Sequence, residues 1–504
     1  MTPTMKQQLE PQYDKELYSS ALKDWCPEAD VKITTFLGGG YSGASALLID
    51  IERKQHAAKE AGEDLHSGLY VLKLDSHRPP EGQDADEAQR LSEAWAWSPE
   101  FAKKHMPPLK GRFRSGDRLA LLYEVAGRSF TRLVRSDQLS LGPLEARVRT
   151  FSEALLTQFN AKPEVGHDET VGGVLHDWLG HRLAPEAQSA IRELAESMTG
   201  GRRAFVRSLH ILANPVALVN QEVAKEPLKV RFRGMLHGDL HRENVFWDRP
   251  PESQEFWLID FALARKGPLL FDHSYFELSL LLNHFIGADP ARLLSLLGSF
   301  LHPPDQIGAR FVAPADEGIR TIVSALRNGI TRWQQAQQPL RADAVAEQWC
   351  LARVAAALNW VNKPLDPQAR HLAFCYAAHA AKEYVEIFHP NIWQQWSKDA
   401  EAATTPGLTS TSATQASDTA WQILWTEMGA FSPSDYFLLL AGPLDESENL
   451  AALGLLPWSA VLDFDPDSDH SGLLKCARPN LEQERSLHFF GKQVTPISFA
   501  RGTA

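Results

Sequence analysis

A change of hydrophobic period along the chain narrows the possible folds more than any other feature. Three early runs carry strand patterns: Val31-Lys32-Ile33-Thr34-Thr35-Phe36-Leu37, Ala44–Ile51, and Leu69-Tyr70-Val71-Leu72-Lys73-Leu74. The charged stretch Glu52–Ser67 between the second and third reads as an inserted helix or a long hairpin loop. Asp84–Lys104 changes to helical spacing, with Ala88, Leu91, Ala94 and Trp95 recurring on one side, and Leu119–Glu124 returns to a strand. After Arg132 the pattern is predominantly helical, around 144–160, 184–212, 275–300, 316–338, 343–361 and 367–388. Short strand-like patches interrupt it only at Val245–Trp247 and Phe256–Ile259. A small antiparallel sheet with a helix, followed by a large helical body, predicts an α+β fold in two lobes.

Lys398–Thr419 is rich in Ser, Thr and Ala and nearly free of large apolar residues, the composition of a flexible linker. The expected organisation is a lead over 1–30, an N-lobe over 31–126, a helical C-lobe over 127–397, a linker over 398–419 and a small α/β module over 420–504. No apolar run reaches the roughly 20 residues of a spanning helix, and MTPTMKQQLEPQYDKE lacks a signal peptide's apolar stretch. A soluble, cytoplasmic protein without membrane contact is expected. Its formal charge of −12 argues against broad coating of nucleic acid. Cys26, Cys350, Cys375 and Cys476 are far apart, with neither a zinc spacing nor a disulfide framework.

The chemistry concentrates in Leu236-His237-Gly238-Asp239-Leu240-His241-Arg242-Glu243-Asn244, followed by Leu258-Ile259-Asp260-Phe261. Phosphoryl transfer needs positioning and charge neutralisation more than covalent help, so its site must hold Mg²⁺ and orient a hydroxyl. Asp239 is placed to orient the attacking hydroxyl or accept its proton. Asn244 offers an amide oxygen and Asp260 a carboxylate to Mg²⁺, which prefers oxygen ligands.

On these residues the chain resembles the protein-kinase-like superfamily, in its aminoglycoside phosphotransferase and choline kinase branch, over about residues 30–395. The resemblance implies the two-lobe kinase-like fold, ATP and Mg²⁺ as cofactors, and transfer of the γ-phosphate to a hydroxyl acceptor. It also implies upstream roles in ATP binding. Gly38, Gly39, Gly40, Ser42 and Gly43 form a glycine-rich loop between two strands, where backbone N–H groups can approach phosphates. Lys73 would grip the α and β phosphates from the third strand. Glu87 or Glu93 would pair with Lys73; they stand about 600° apart around a helix and cannot both face it, and Glu87 is favoured. The backbone from Glu124 to Ala126, in the strand and hinge Leu119–Gly127, would meet the adenine edge.

Two departures point to small-molecule kinases. Gly238 stands where regulated protein kinases usually carry Arg, and no Ala-Pro-Glu segment follows Asp260, so control by loop phosphorylation is not expected. The long helical insert before His237 suits an acceptor pocket. Asp272 resembles the family's structural aspartate that braces the catalytic loop, and His241 reads as a brace too. Arg265 and Lys266 read equally as anion contacts or as a solvated turn. His176 and His181 would point about 140° apart on a helix, so a metal there is not expected.

The C-terminal segment offers an apolar run at Phe437–Leu440, a strand ending at Asp463, Asp465, Asp467 and Asp469, a possible helix over Gly472–Arg485 and a strand over Ser486–Phe490. The acidic alternation has Ser468 and Leu474 where a calcium loop needs Gly and Glu, so a turn and a protein-interaction surface are expected. The rival to an enzyme is an ATP-binding regulatory or scaffold module, as in bacterial multi-domain signalling or conflict systems. The Ser/Thr-rich linker also raises autophosphorylation.

Overall fold

A computed structural model describes residues 13–404, apart from 40–43, 54–64, 76–85, 167–168, 184–188, 208–209, 301–312 and single positions 129, 140, 229, 251, 338 and 364. Beyond Thr404 it describes six three-residue strands. The chain divides into two compact units, the larger of which holds both lobes.

The N-lobe sheet comprises β1 (Ala29–Gly39), β2 (Ser45–Arg53), β3 (Gly68–Asp75), β4 (Leu109–Ser115) and β5 (Arg118–Glu124). Its order is β1-β2-β3-β5-β4, antiparallel throughout, so β3 sits at the centre with Lys73 opposite Ala46 on one side and Leu121 on the other. Alternation buries Leu47, Ile49, Leu72, Ala120 and Leu122 on one face. Each large side chain buried this way contributes about 1.5–3 kcal/mol.

The lead before the first strand contains a helix. Helix α1 (Lys15–Trp25) begins where the Asp14 carboxylate accepts the Leu17 N–H at 2.9 Å, and it presses Leu17 and Ala21 into the same apolar cluster. The expected single helix over 84–104 is two helices, α2 (Glu87–Trp97) and α3 (Pro99–His105). Pro99 cannot continue the first helix and instead opens the second at its first position. Asp86 caps α2 through the Gln89 N–H, which makes Glu87 its first helical residue.

The C-lobe is built on helices α4 (Leu141–Ala154), α5 (Val171–Leu179), α6 (Ser189–Thr199), the single turn α7 (Ala217–Asn220), α8 (Phe271–Phe285), α9 (Pro290–Ser299), α10 (Glu317–Gln335), α11 (Pro339–Val361) and α12 (Pro367–Phe388). Asp289-Pro290 and Asp366-Pro367 open two of them in the same way, with the Asp side chain capping and Pro in the first turn. Helix α8 is buried on nearly all sides among α9, α10, α11 and α12. Within it Glu277 is fully buried, takes both arms of Arg327 at 2.6 and 3.0 Å, and accepts the Tyr376 hydroxyl at 2.8 Å.

More strand is present here than the periodicity shows. The expected helix over 184–212 is α6 followed by a hairpin, β9 (Ala204–Arg207) paired with β10 (His210–Ala213). Other short strands are β6 (Leu133–Arg135), β7 (Glu164–Gly166), β8 (Glu169–Thr170) and β11 (Pro227–Leu228). Around the motif lie β12 (Arg231–Leu236), β13 (Val245–Asp248), β14 (Phe256–Leu258) and β15 (Arg265–Pro268). They form two three-stranded sheets, β15-β12-β7 and β14-β13-β6. β13 and β14 lie where strand patches were expected, at Val245–Trp247 and Phe256–Ile259; most of the others are too short for a period of two to declare itself.

Helix α13 (Pro390–Thr404) runs on through Lys398, so the start of the stretch read as a linker is helical. Alanine and glutamate there are good helix formers, and Trp396 and Ala400 are buried against the lobe. The smaller unit contains three antiparallel pairs: β16 (Tyr436–Leu438) with β17 (Leu455–Pro457), β18 (Val461–Asp463) with β19 (Lys475–Ala477), and β20 (Leu487–Phe489) with β21 (Lys492–Val494). Strand β19 falls inside the expected helix over Gly472–Arg485 and corrects it: Val461-Leu462-Asp463 supplies a partner that local propensity cannot show. Asp465, Asp467 and Asp469 lie outside the described residues.

Candidate active site

Lys73 reaches from the middle of β3 to two carboxylates. Its Nζ lies 2.7 Å from Glu87 Oε2 and 2.8 Å from Asp260 Oδ1, a residue 187 positions away. The alternative glutamate, Glu93, is on another face of α2, where it accepts the Gln89 side-chain amide. Glu87 is also held by the Tyr123 hydroxyl on β5 at 2.8 Å. Burial works against the lysine's charge, but Glu87 and Asp260 outweigh it and raise its pKa above the ordinary value. Burial also raises the Glu87 carboxyl, which Lys73 and Tyr123 partly offset.

The loop His237–Asn244 between β12 and β13 is tied from below. Asp272, in the first turn of α8, accepts the backbone N–H groups of His237 at 2.6 Å and Gly238 at 2.9 Å. The His237 ring meets the Ile259 carbonyl at 2.8 Å through Nε2 and the Asp239 N–H at 3.4 Å through Nδ1. One tautomer, protonated at Nε2, satisfies both contacts. Gly238 has φ +81°, and a Cβ there would stand 2.2 Å from the Leu263 carbonyl oxygen. Only glycine fits, so the Arg of regulated kinases is sterically barred in this loop.

Asp260 itself takes φ +66°, a conformation aspartate tolerates better than most residues. Burial would raise its carboxyl, and Lys73 overrides this and lowers it. Asn244 Nδ2 donates to the Asp239 carbonyl at 2.9 Å, leaving its Oδ1 as the atom it can offer a cation. The Asp260 carboxylate and the Asn244 amide oxygen are a hard, oxygen-only donor set, which suits Mg²⁺ completed by phosphates and water. No cluster of three or more His, Cys, Asp or Glu among the described residues forms an all-protein metal cage.

Sequence reasoning missed Lys363, beyond the end of α11. Its Nζ donates to Asp239 Oδ1 at 2.9 Å and sits over the rings of Trp360 at 4.7 Å and Tyr275 at 5.1 Å. His241 Nε2 approaches the other oxygen, Asp239 Oδ2, at 3.8 Å. Burial raises the Asp239 carboxyl, but Lys363 and His241 prevail and lower it, so it is ionised at neutral pH. Arg182, near α5, interacts electrostatically with Asp239 and Tyr275. The only sequence signal for Lys363 was a lysine after an aromatic helix end, Asn359-Trp360-Val361-Asn362-Lys363.

The other expected contributors are placed less directly. Gly38 and Gly39 end β1, paired with Ala46 and Ser45, while Gly40, Ser42 and Gly43 lie outside the described residues. Glu124 closes β5: its N–H donates to Pro108 and its carboxylate pairs with Lys110, and Ala126 begins the next turn. Arg265 and Lys266 are neither free anion contacts nor a solvated turn. They lie in β15, where Arg265 donates to the Trp178 carbonyl and Lys266 pairs with Glu164 over the Trp97 ring. Asp177 is taken by Arg231 and Arg233 rather than by a metal.

A family model described as ternary complex associated domain 9 matches residues 137–338, a span that includes the His237–Asn244 loop. No protein of curated function matches the sequence. Among solved structures, a microcompartment-associated aminopropanol kinase is similar at 14% identity, covering 75% of this chain and 98% of its own, with a TM-score of 0.34. An ethanolamine kinase of Plasmodium vivax is similar at 10% identity over 74% and 86%, with a TM-score of 0.32. An aminoglycoside phosphotransferase of Streptomyces rimosus is similar at 13% identity over 73% and 99%, with a TM-score of 0.31. Scores of this size carry no weight of their own. The two-lobe kinase-like fold stands on the chain's own sheet order, its helical C-lobe and the Lys73–Glu87–Asp260 contacts.

Proposed function

We propose that the chain is an ATP- and Mg²⁺-dependent phosphotransferase that moves a γ-phosphoryl group to the hydroxyl of a small-molecule acceptor. The observation that carries this reading is Lys73, held by Glu87 and bonded to Asp260. In such a site ATP with Mg²⁺ supplies the phosphoryl group and neutralises its charge. Lys73 exchanges its Asp260 contact for phosphate oxygens, with Glu87 keeping the ammonium in place. Asp260 and Asn244 hold Mg²⁺, and Asp239, ionised beside Lys363, orients the acceptor hydroxyl and takes its proton. Backbone groups of Gly38–Gly43 and of Glu124–Ala126 contact phosphates and adenine. The lobes over 31–126 and 127–397 form the catalytic unit, with 420–504 as a partner-binding module in a cytoplasmic protein. No helix among the described residues is long and apolar enough to cross a membrane.

The test is incubation of full-length protein with γ-labelled ATP and Mg²⁺, alone and with cell extract. Label is expected on a small molecule, and Asp239→Asn is expected to abolish transfer while retaining ATP binding. ATP binding without transfer to any acceptor would instead support the regulatory-module reading, which the family description, with its reference to complex association, favours. Label on Ser or Thr of 398–419, read by mass spectrometry, would make the chain its own acceptor.

A further inference from the structure

Beside Asp239 the protein has already filled the environment that a cationic acceptor would need. Stacked aromatic faces next to a carboxylate make a favourable seat for an ammonium group. Tyr275 and Trp360 stack at 5.2 Å between centroids, and Asp239 lies alongside. The occupant is Lys363, whose Nζ takes both ring faces and Asp239 Oδ1 together. Lys363 retains 19% and Asp239 22% of side-chain exposure, so both border open space. Arg182 adds a second positive charge acting on Asp239 and Tyr275. Arg265, in turn, interacts electrostatically with Arg182. Burial lowers the His241 pKa against the pull of Asp239, and Glu243 faces Arg242 at 3.9 Å. Lys363 and Arg182 therefore set two positive charges on the acceptor side of the Asp239 carboxylate, while Asp260 is the other acid that acts on it and Asp272 and Asp177 act on Arg265.

We propose that the acceptor carries an anionic group, carboxylate or phosphate, close to the hydroxyl that is phosphorylated, and that Lys363 is the residue that selects it. This rests on the phosphotransferase reading above. An ammonium ion has three donors, and Asp239 Oδ1 engages one. The others face the Tyr275 and Trp360 rings, weak acceptors that an acceptor anion can displace, while Asp239 Oδ2 meets the hydroxyl. An aminoalcohol approaching the same carboxylate meets the positive charges of Lys363 and Arg182 and finds the aromatic faces taken.

The test compares phosphate transfer from ATP by the full-length protein to glycerate, glycerol 3-phosphate, ethanolamine and 1-amino-2-propanol. Transfer to glycerate or glycerol 3-phosphate is expected to exceed transfer to either amine at least tenfold in kcat/KM. The two anionic arms distinguish a carboxylate from a phosphate requirement. Lys363→Met is expected to raise KM for the better anion at least tenfold with KM for ATP unchanged, and Lys363→Glu to reverse the preference toward the amines. Equal or better transfer to an amine by the wild type, or an unchanged preference in Lys363→Glu, overturns the inference and leaves the phosphotransferase standing. Failure to transfer phosphate to any of the four or to any component of cell extract overturns both.

Discussion

Replacement of Gly238 by alanine separates backbone strain from collision in a way the structure quantifies. The new Cβ would lie 2.2 Å from the Leu263 carbonyl oxygen and 2.9 Å from its carbon, both backbone atoms. That turn is fixed by the Ala264 N–H on the Phe261 carbonyl and by Arg90 on the Ala262 carbonyl at 2.5 Å. Restoring ordinary contact needs about 1 Å of displacement between the catalytic loop and the segment after Asp260. A positive φ costs alanine about 1–2 kcal/mol, and weakening one bond to the Asp272 carboxylate costs about 1.5 kcal/mol more, for a total of about 3 kcal/mol. Misplacing Asp239 against Asp260 by that distance lowers the transfer rate on the order of 100-fold. The control is Gly116→Ala in the β4–β5 turn, where φ is +61° and nothing lies within 4 Å of the added carbon. It should cost only the backbone strain, about 1 kcal/mol, and leave the rate unchanged. Urea denaturation followed by tryptophan fluorescence and phosphate transfer at saturating ATP measure the two effects. Equal losses of stability and rate in the two variants would refute the steric argument.

Lys73→Met removes the shared partner of Glu87 and Asp260, and calorimetry should show ATP affinity reduced more than tenfold; Glu87→Gln should lose less, because Tyr123 still holds that side chain. Glu277→Ala strands Arg327 inside the C-lobe and should destabilise it by about 3–5 kcal/mol in denaturant without changing ATP affinity. Burial lowers His105 and His273 to about 4 and His379 to about 3, below the roughly 6.5 of an unfolded histidine. The stability these neutral rings contribute is complete above about pH 6.5 and is lost as pH falls toward 4, by up to about 1.4 kcal/mol per pH unit for each. Thermal unfolding between pH 7.5 and 5 should show that fall, and His105→Phe, which keeps the stack on Phe256, should make it shallower. An unchanged slope in that variant would place the titration elsewhere.

The sequence disclosed whatever depends on local pattern or on a compact motif. Four of the five N-lobe strands, β1, β2, β3 and β5, were visible as apolar runs that bury a face in the sheet, whereas β4 (Leu109–Ser115), with Lys110, Gly111, Arg112 and Arg114, showed no such run. The long C-lobe helices were visible because they keep one apolar side, as α10 does at Ile319, Ile322, Val323, Leu326 and Ile330. Of the strands around the His237–Asn244 loop, β13 and β14 lie where the sequence showed short strand patches, whereas β12 was not foreseen, its pairing being decided by β7 and β15 far along the chain. Glu87 separated from Glu93 only once Asp86 fixed where α2 begins. Lys363 was the least legible, since it reaches Asp239 across 124 positions through the end of a helix that belongs to no motif.

The two backbone bonds that Asp272 accepts govern how the His237–Asn244 loop opens. Asp272 rides on α8, the most enclosed helix of the C-lobe, so the His237 and Gly238 amides are clamped to the core. Their release requires α8 to move, and α8 is bounded by four other helices. In hydrogen–deuterium exchange these two amides should therefore behave as core amides and exchange with the slowest set, whereas those of the exposed β4–β5 turn exchange by local fraying. The His237–Asn244 loop is thus among the last parts of the lobe to open.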